Sequence, residues 1–421
     1  MIERFKNFSI SGFKGFKGSV KEGFQDFRLG LRDATTVVKP TRSRMMEYDQ
    51  PLLWATLLLV ALGLVMVYSA SIALPDGPKY AKYSSSHFLI RHLISIAMAF
   101  GAGMLAFRVP LKVWDRLAPA IFGLAFVLLI VVLIPGVGKG VNGARRWIPL
   151  LVMNFQPSEL MKLAVVLFAA YYTVQRQDYL HSFVKGLAPM GAAVIAVGVL
   201  LLLQPDMGAF MVIAMIAMGL LFLGGISGKL FGALIGLALT SFATIIIFSP
   251  FRRERIFAYL DPWRDDFAAG KAYQLTHSLM AFGRGEWFGV GLGGSVEKLH
   301  YLPEAHTDFI LAVIGEELGF LGVAVVIAIF YWIVRRAFLI GRTALQLDRS
   351  FAGLVAKGIA IWIGWQAFIN MGVNLGLLPT KGLTLPLVSF GGSGLVMNAV
   401  AVAILLKIDF ENRIMMRGGK L

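Results

Sequence analysis

Cysteine is absent from the chain's 421 residues and histidine occurs only 6 times. The first absence excludes disulfides, thiolate metal sites and a cysteine nucleophile; the second leaves little material for a histidine-rich metal centre. Charge is scarce too, with Asp, Glu, Lys and Arg making up 15% of the chain against 57% hydrophobic residues. So little charge cannot cover a globular surface in water, and the solvent for most of this chain is lipid. Of the two signs the acidic one is the scarcer, 24 residues against 40 Lys and Arg, giving a formal net charge of +16. The basic residues stand in short clusters between apolar runs, not along one face. The excess therefore reads as membrane-flanking charge, not as a nucleic-acid surface.

What is abundant is apolar sequence in long runs. A helix needs about 20 mostly apolar residues to cross the hydrocarbon. Such runs recur near 52–74, 88–107, 117–134, 160–174, 187–203, 207–223, 230–248, 309–334, 358–378 and 385–406. The expected fold class is an all-α integral membrane protein with about ten transmembrane helices. The fourth run is short and can continue backward through Pro157, because proline in a first helical turn removes no needed donor. Residues 1–50 hold about ten Lys or Arg and scattered Phe without a continuous apolar core, and read as a basic cytoplasmic tail able to lie on anionic lipid. The basic short loops 108–116, 175–185 and 335–357, with the segment 407–420, fall on the same side and assign it to the cytoplasm. Residues 51–408 then form one polytopic domain, 409–421 a second cytoplasmic tail, and 249–307 the one large external loop. No repeat of the halves stands out, which counts modestly against a repeat-built transporter.

Ionisable residues at membrane depth are costly, so each is a functional candidate. They gather at the external ends of the runs: Lys139, Arg145 and Arg146; Glu159 and Lys162; Gln204 and Asp206; Asp261, Asp265, Asp266, Lys271, Arg284 and Glu286 in the long loop; Glu304, His306 and Asp308; and Lys381, Thr384 and Ser389. Arg and Lys suit a phosphate or diphosphate, and a carboxylate beside them can act as a general base toward a sugar hydroxyl. The combination fits glycosyl transfer from a diphosphate donor. Plainer readings stand beside it. Glu159 and Lys162, at i and i+3, also suit a helix-locking ion pair. Arg145 and Arg146 beside Trp147 suit interfacial anchors. Glu316 and Glu317 suit structural hydrogen bonds. The run Gly391-Gly392-Ser393-Gly394 suits helix packing better than a nucleotide loop, and His306 with Asp308 suits a helix cap better than a proton relay.

The stretches KGVNGARRW at 139–147, FQPSELMK at 155–162, QPDMG at 204–208, YQLTHSLMAFGRG at 273–285, LPEAHTDFI at 302–310, GEELG at 315–319 and LPTKGLTLPLVSFGG at 378–392 follow one another in order. From about Tyr48 to the C-terminus the chain resembles the SEDS family of cell-shape, division and sporulation proteins, and its wording is closer to the division branch than to the elongation branch. The resemblance implies a ten-helix fold and polymerisation of lipid II, an undecaprenyl-diphosphate-linked disaccharide pentapeptide, at the bacterial inner (plasma) membrane and its division septum. It implies a catalytic aspartate in the long loop after a Pro-Trp-x pattern, which here is Pro262-Trp263-Arg264-Asp265. The loop is about two residues longer than the family pattern, so Asp266 is the second candidate and Asp261 the third. By the same resemblance Arg146, Glu159, Lys162, Gln204, Asp206, Lys381 and Ser389 line the substrate cavity. The implied partners are membrane lipids, a class B penicillin-binding protein transpeptidase (FtsI) and other division proteins, with no nucleic acid. A divalent cation, Mg or Mn, would suit the diphosphate, although no dedicated metal site is visible. The competing readings are a flippase of the lipid-linked precursor and a scaffold that only recruits partners.

Overall fold

The computed structural model describes residues 47–419 apart from 79, 142, 143, 151, 152 and 269. The basic tail expected over 1–50 thus lies almost wholly outside the described residues. The apolar runs are helices: α1 Gln50–Ser71, α2 His87–Arg108, α3 Leu111–Val131, α4 Pro157–Gln175, α5 Ala188–Leu203, α6 Met207–Leu223, α7 Gly228–Ile247, then α8 Pro250–Leu260, α9 Asp265–Ala268, α10 Tyr273–Gly285, α11 Ile310–Gln346, α12 Ser350–Asn374 and α13 Gly392–Met416. Among the described residues seven helical segments are long and apolar enough to cross a membrane: α1, α2, α3, α5 with the turn before it, α11, α12 and α13. Helix α6, with 17 residues, and the first part of α7 are shorter apolar helices.

Burial sorts these helices into an inner and an outer set. The apolar windows of α12 and α13 are 72% and 67% buried, whereas those of α2 and α3 are 22% and 17% buried and offer most of their side chains to the surroundings. At the centre stands α4, which starts at Pro157 as the sequence allowed and packs against α3, α6, α12 and α13. Its buried face runs almost all the way round, from Ser158 to Thr173. A helix apolar on every side but for two charges can only be stable in such a position.

Two parts depart from the sequence reading. The segment between α3 and α4 forms a small antiparallel sheet, β1 Lys139–Val141, β2 Ala144–Pro149 and β3 Asn154–Phe155, with Lys139 opposite Trp147 and Ile148 opposite Phe155. The fold is therefore helical with one three-stranded exception, which strands this short could not announce by periodicity. The second departure is the stretch 249–307, expected as loop, in which α8 and α10 are helices of 11 and 13 residues. Helix α10 packs on α11, close enough that a Cβ at Gly285 would stand 1.9 Å from the Gly315 carbonyl oxygen.

The following strap, 286–300, is fixed by an interruption in α11. Gly319 has φ 67°, a left-handed conformation natural to glycine, and it breaks the helical hydrogen-bond ladder there. The strap supplies the missing partners: the Val290 and Gly291 N–H groups donate to the Glu316 and Glu317 carbonyls at 3.0 and 3.1 Å, and the Phe320 N–H donates to the Glu286 carbonyl at 2.8 Å. Both glutamate side chains are fully buried and bind the same strap. Glu316 accepts from Arg284 at 2.7 Å, from the Val296 N–H at 2.9 Å and from the Ser295 hydroxyl; Glu317 accepts from Lys298 and from Ser69, each at 2.7 Å. These contacts bear out the structural reading of Glu316 and Glu317.

Candidate functional site

The connections α1–α2, α3–α4, α5–α6, α10–α11 and α12–α13 meet at one end of the bundle. Cross-links between them define that end: the Ser389 hydroxyl donates to the Thr307 carbonyl at 2.6 Å, the Phe390 N–H to the His306 carbonyl at 3.0 Å, the Ser393 hydroxyl to the Asn154 carbonyl at 2.9 Å, and Lys298 to Ser69 at 2.9 Å. The opposite end is fastened by Arg336 on Asp49, Arg349 on Glu411 and Asn412, and Arg413 on Asp409. At the first end the polar side chains form two layers.

The deeper layer surrounds Lys162, which is completely buried. Its ammonium donates to Glu159 Oε1 at 2.7 Å and to Gln366 Oε1 at 2.8 Å, and stands 5.5 Å from the Trp362 ring. Gln366 also accepts from the Trp362 indole at 2.9 Å and donates to the Thr384 carbonyl at 2.9 Å, so the cation is tied to α4, α12 and the segment before α13 at once. Glu159 Oε2 is buried without a hydrogen-bond partner. A Cβ on Gly394 would lie 3.4 Å from it, so the glycine-rich run lets the start of α13 come close to this carboxylate. This is the helix-packing role foreseen for that run.

The outer layer is built on the break between α5 and α6. Asp206 caps α6, its Oδ1 accepting from the Ala209 N–H at 3.1 Å, while Oδ2 accepts from Ser158 at 3.2 Å and from the Gln156 amide at 3.3 Å. Gln204 donates to the Leu129 carbonyl at 2.9 Å. Arg146, carried on β2, donates from Nε to the Gln204 carbonyl at 2.9 Å and from a terminal nitrogen to the Pro205 carbonyl at 2.5 Å, which leaves further guanidinium N–H groups for a ligand. The small sheet thus holds Arg146 over the α5–α6 break. Lys381 lies 3.7 Å from Met207 Sδ at the same break.

Asp308 completes this layer. A Cβ on Gly382 would fall 3.0 Å from its Oδ2, and a Cβ on Gly208 would fall 3.3 Å from the Gly382 carbonyl oxygen, so Asp308, the Lys381-Gly382 turn and the start of α6 converge. Its main-chain carbonyl accepts from Asn370 at 2.8 Å and from Asn374 at 3.0 Å, both on α12. Burial pushes the carboxyl up to about 7; Glu304 and Asp206 add to the rise and Arg146 opposes it. The sequence reading gave Asp308 and His306 to a helix cap, and the structure corrects this: α11 has no side-chain cap, and His306 packs between Phe88 and Phe390 at ring distances of 5.1 and 5.5 Å. Asp308 already stood among the sequence candidates, one residue before a long apolar run where a carboxylate is expensive, but its sequence position did not set it above the other candidates.

Of the site residues expected from sequence, Arg146, Gln204, Asp206 and Lys381 are brought together in the outer layer and Glu159 and Lys162 in the deeper one. Ser389 serves the backbone, accepting from the Leu385 N–H at 2.8 Å while donating to Thr307. Asp265 and Asp266 stand apart on α9, both exposed; Asp266 pairs with Arg264 at 3.0 Å, and Asp265 has no hydrogen bond or ion pair among the described residues. Sequence reasoning missed Gln366 and Asn370, polar residues inside an apolar helix. Among the described residues no group of three or more His, Asp or Glu side chains is placed to hold a metal ion by itself.

Known proteins resemble this arrangement over nearly its whole length. A curated relative from Polynucleobacter necessarius subsp. necessarius, named "Probable peptidoglycan glycosyltransferase FtsW", is 72% identical across 100% of this chain and 97% of its own. One of the same name from Burkholderia thailandensis is 67% identical over 93% of this chain and 85% of its own. Among solved structures, a chain from the work titled "Structural coordination of polymerization and crosslinking by a peptidoglycan synthase complex" superposes with a TM-score of 0.71 at 29% identity, covering 87% of this chain and 99% of that one. The rod shape determining protein RodA of Thermus thermophilus superposes with a TM-score of 0.61 at 27% identity, covering 87% and 97%. The family model described as "Cell cycle protein" matches residues 50–414, and the chain belongs to that family, the SEDS proteins.

Proposed function

We propose that this protein is a peptidoglycan glycosyltransferase that joins lipid II units into glycan strands and releases undecaprenyl diphosphate during septal wall synthesis. The observation that carries the reading is the convergence of the Asp308 carboxyl with the Lys381-Gly382 turn and with Arg146 over the α5–α6 break, where burial raises the carboxyl pKa to about 7. A general base works best when its pKa lies near the working pH. In the proposed mechanism Asp308 takes the proton from the acceptor sugar hydroxyl. Arg146 and Lys381 stabilise the charge that develops on the departing diphosphate. The attacking hydroxyl and the leaving group occupy opposite faces of the anomeric carbon, so the product is inverted. Lys162 and Glu159 form the floor below, and Gln204, Asp206 and Ser389 hold the walls. The names of the relatives support the reaction type.

The sequence favoured Asp265 as the base, with Asp266 next, and both remain in the test because 249–307 is read as lying on the same external side. That orientation goes with ten crossings by α1–α7 and α11–α13 and with both termini in the cytoplasm. The likeness to a chain of a peptidoglycan synthase complex supports a class B penicillin-binding protein as partner, with FtsI and other division proteins as the specific expectation.

The test is lipid II polymerisation by the purified full chain with its transpeptidase partner, comparing wild type with Asp308→Asn, Asp265→Asn and Asp266→Asn at matched folding. Loss of a general base lowers the rate by about 100-fold or more. The expected result is that loss for Asp308→Asn with near-normal rates for the other two. Loss only in Asp265→Asn or Asp266→Asn would move the base to α9. If no form polymerises while labelled lipid II crosses the bilayer, the chain is a flippase.

A further inference from the structure

An open groove of about 330 Å³ runs along the bundle between α1, α2 and α13, away from the polar site. Its walls are aliphatic and aromatic, with Leu53, Val60, Ile96, Phe107, Ala399 and Leu406 among them. One end is different. There Arg108, in the last turn of α2, and Tyr48 close the groove, at the end of the bundle opposite the candidate site. Arg108 is exposed at the mouth of the groove and has no hydrogen bond or ion pair among the described residues. Lys407 stands 5.6 Å from the Phe107 ring and adds positive potential to the same end. Glu411, 3.9 Å from Lys407, is already held by Arg349 and by the Leu111 N–H, so it does not neutralise Arg108.

An apolar channel that ends on an unpaired guanidinium matches an occupant with a long hydrocarbon part and a terminal anion. We propose that the groove binds one acyl chain of an anionic phospholipid, with the headgroup phosphate on Arg108. The charge at the mouth decides against the other candidates. The chain's own first 46 residues are basic and would meet Arg108 with like charge. A neutral partner helix would leave the guanidinium buried without a counter-ion, which is costly. The size falls within the range of about 300–1,000 Å³ typical of ligand clefts. Lipid bound here is remote from the reacting groups, and the proposal stands independently of the glycosyltransferase reading.

The test is native mass spectrometry of the purified full chain in detergent with equimolar palmitoyl-oleoyl phosphatidylglycerol and phosphatidylcholine. Wild type should retain the anionic lipid about fivefold over the zwitterionic one, the preference expected of one basic contact to a lipid phosphate. Arg108→Gln should bring that ratio to about one. Gly103→Leu should reduce both adducts, because Gly103 lines the groove and a Cβ there meets nothing nearer than 3.5 Å, so the side chain has room to fill the space without breaking α2. Unchanged melting temperatures show that both variants fold. A preference for phosphatidylglycerol that survives Arg108→Gln, or adducts that survive Gly103→Leu, would overturn the proposal and place the lipid elsewhere on the surface.

Discussion

Asp308 and Lys162 carry opposite physical problems. Asp308 is a carboxyl whose charged form is disfavoured by its surroundings, with a pKa raised from 3.8 to about 7. A raised carboxyl means that the folded protein binds more protons than the unfolded chain between those values, so this group costs stability as pH rises from about 4 to 7. Asp308→Asn removes that cost. The variant should lose polymerisation and yet melt higher than wild type above pH 7, by about 2 °C or more, in thermal unfolding in detergent. If Asp308 is the base, the wild-type rate should climb as pH rises through about 7 and level off above it. A rate independent of pH from 5.5 to 8.5 would remove Asp308 from the chemistry. Lys162 is a fully buried cation whose partners are Glu159 and Gln366. Lys162→Met strands the Glu159 carboxylate and should destabilise by about 3–5 kcal/mol, whereas replacing Glu159 as well should restore most of the loss. A double variant no more stable than the single one would show that the loss comes from the Lys162–Gln366 contact between α4 and α12 and not from the stranded carboxylate.

At the scale of elements, the interruption of α11 at Gly319 and the strap 286–300 belong to one device. The strap's own N–H groups replace the helix ladder, and Glu316 and Glu317 draw Arg284, Ser295, Lys298 and Ser69 onto it. Glu317→Gln keeps the shape but removes the negative charge that holds Lys298. Amide exchange over 286–300 should then quicken about tenfold or more while α12 keeps its protection, because only the strap is released. Uniform quickening through α11 and α12 would mean that Glu317 supports the whole bundle instead. The small sheet acts as locally as the strap does. By crossing the mouth of the bundle it brings Arg146 to the Gln204 and Pro205 carbonyls.

For the molecule as a whole, the lack of cysteine is an experimental advantage, since any introduced thiol is the only one. Ser84, in the α1–α2 connection at the site end, and Gln177, in the α4–α5 connection at the other end, are both exposed. With the proposed orientation, Ser84→Cys in intact cells should react with a membrane-impermeant maleimide and Gln177→Cys should not until the cells are opened. Labelling of both from outside would refute an alternation of ends across the bilayer.

The sequence by itself determined the solvent, the helices and the end of the bundle at which polar groups collect. Apolar runs of membrane length have only one low-energy backbone in lipid, and their boundaries follow from where charge becomes affordable. Arg146, Glu159, Lys162, Gln204, Asp206 and Lys381 were also legible, because each is a polar residue at a depth where it is costly. Only the tertiary structure decided which carboxylate belongs to that cluster. Asp265 and Asp308 have the same chemistry and both stand in the connections between α7 and α11, so local sequence does not separate them. The difference arises when α10 packs on α11 and the Lys381-Gly382 turn closes over the start of α6. That packing leaves Asp265 in solvent and places Asp308 among Glu304, Asp206 and Arg146.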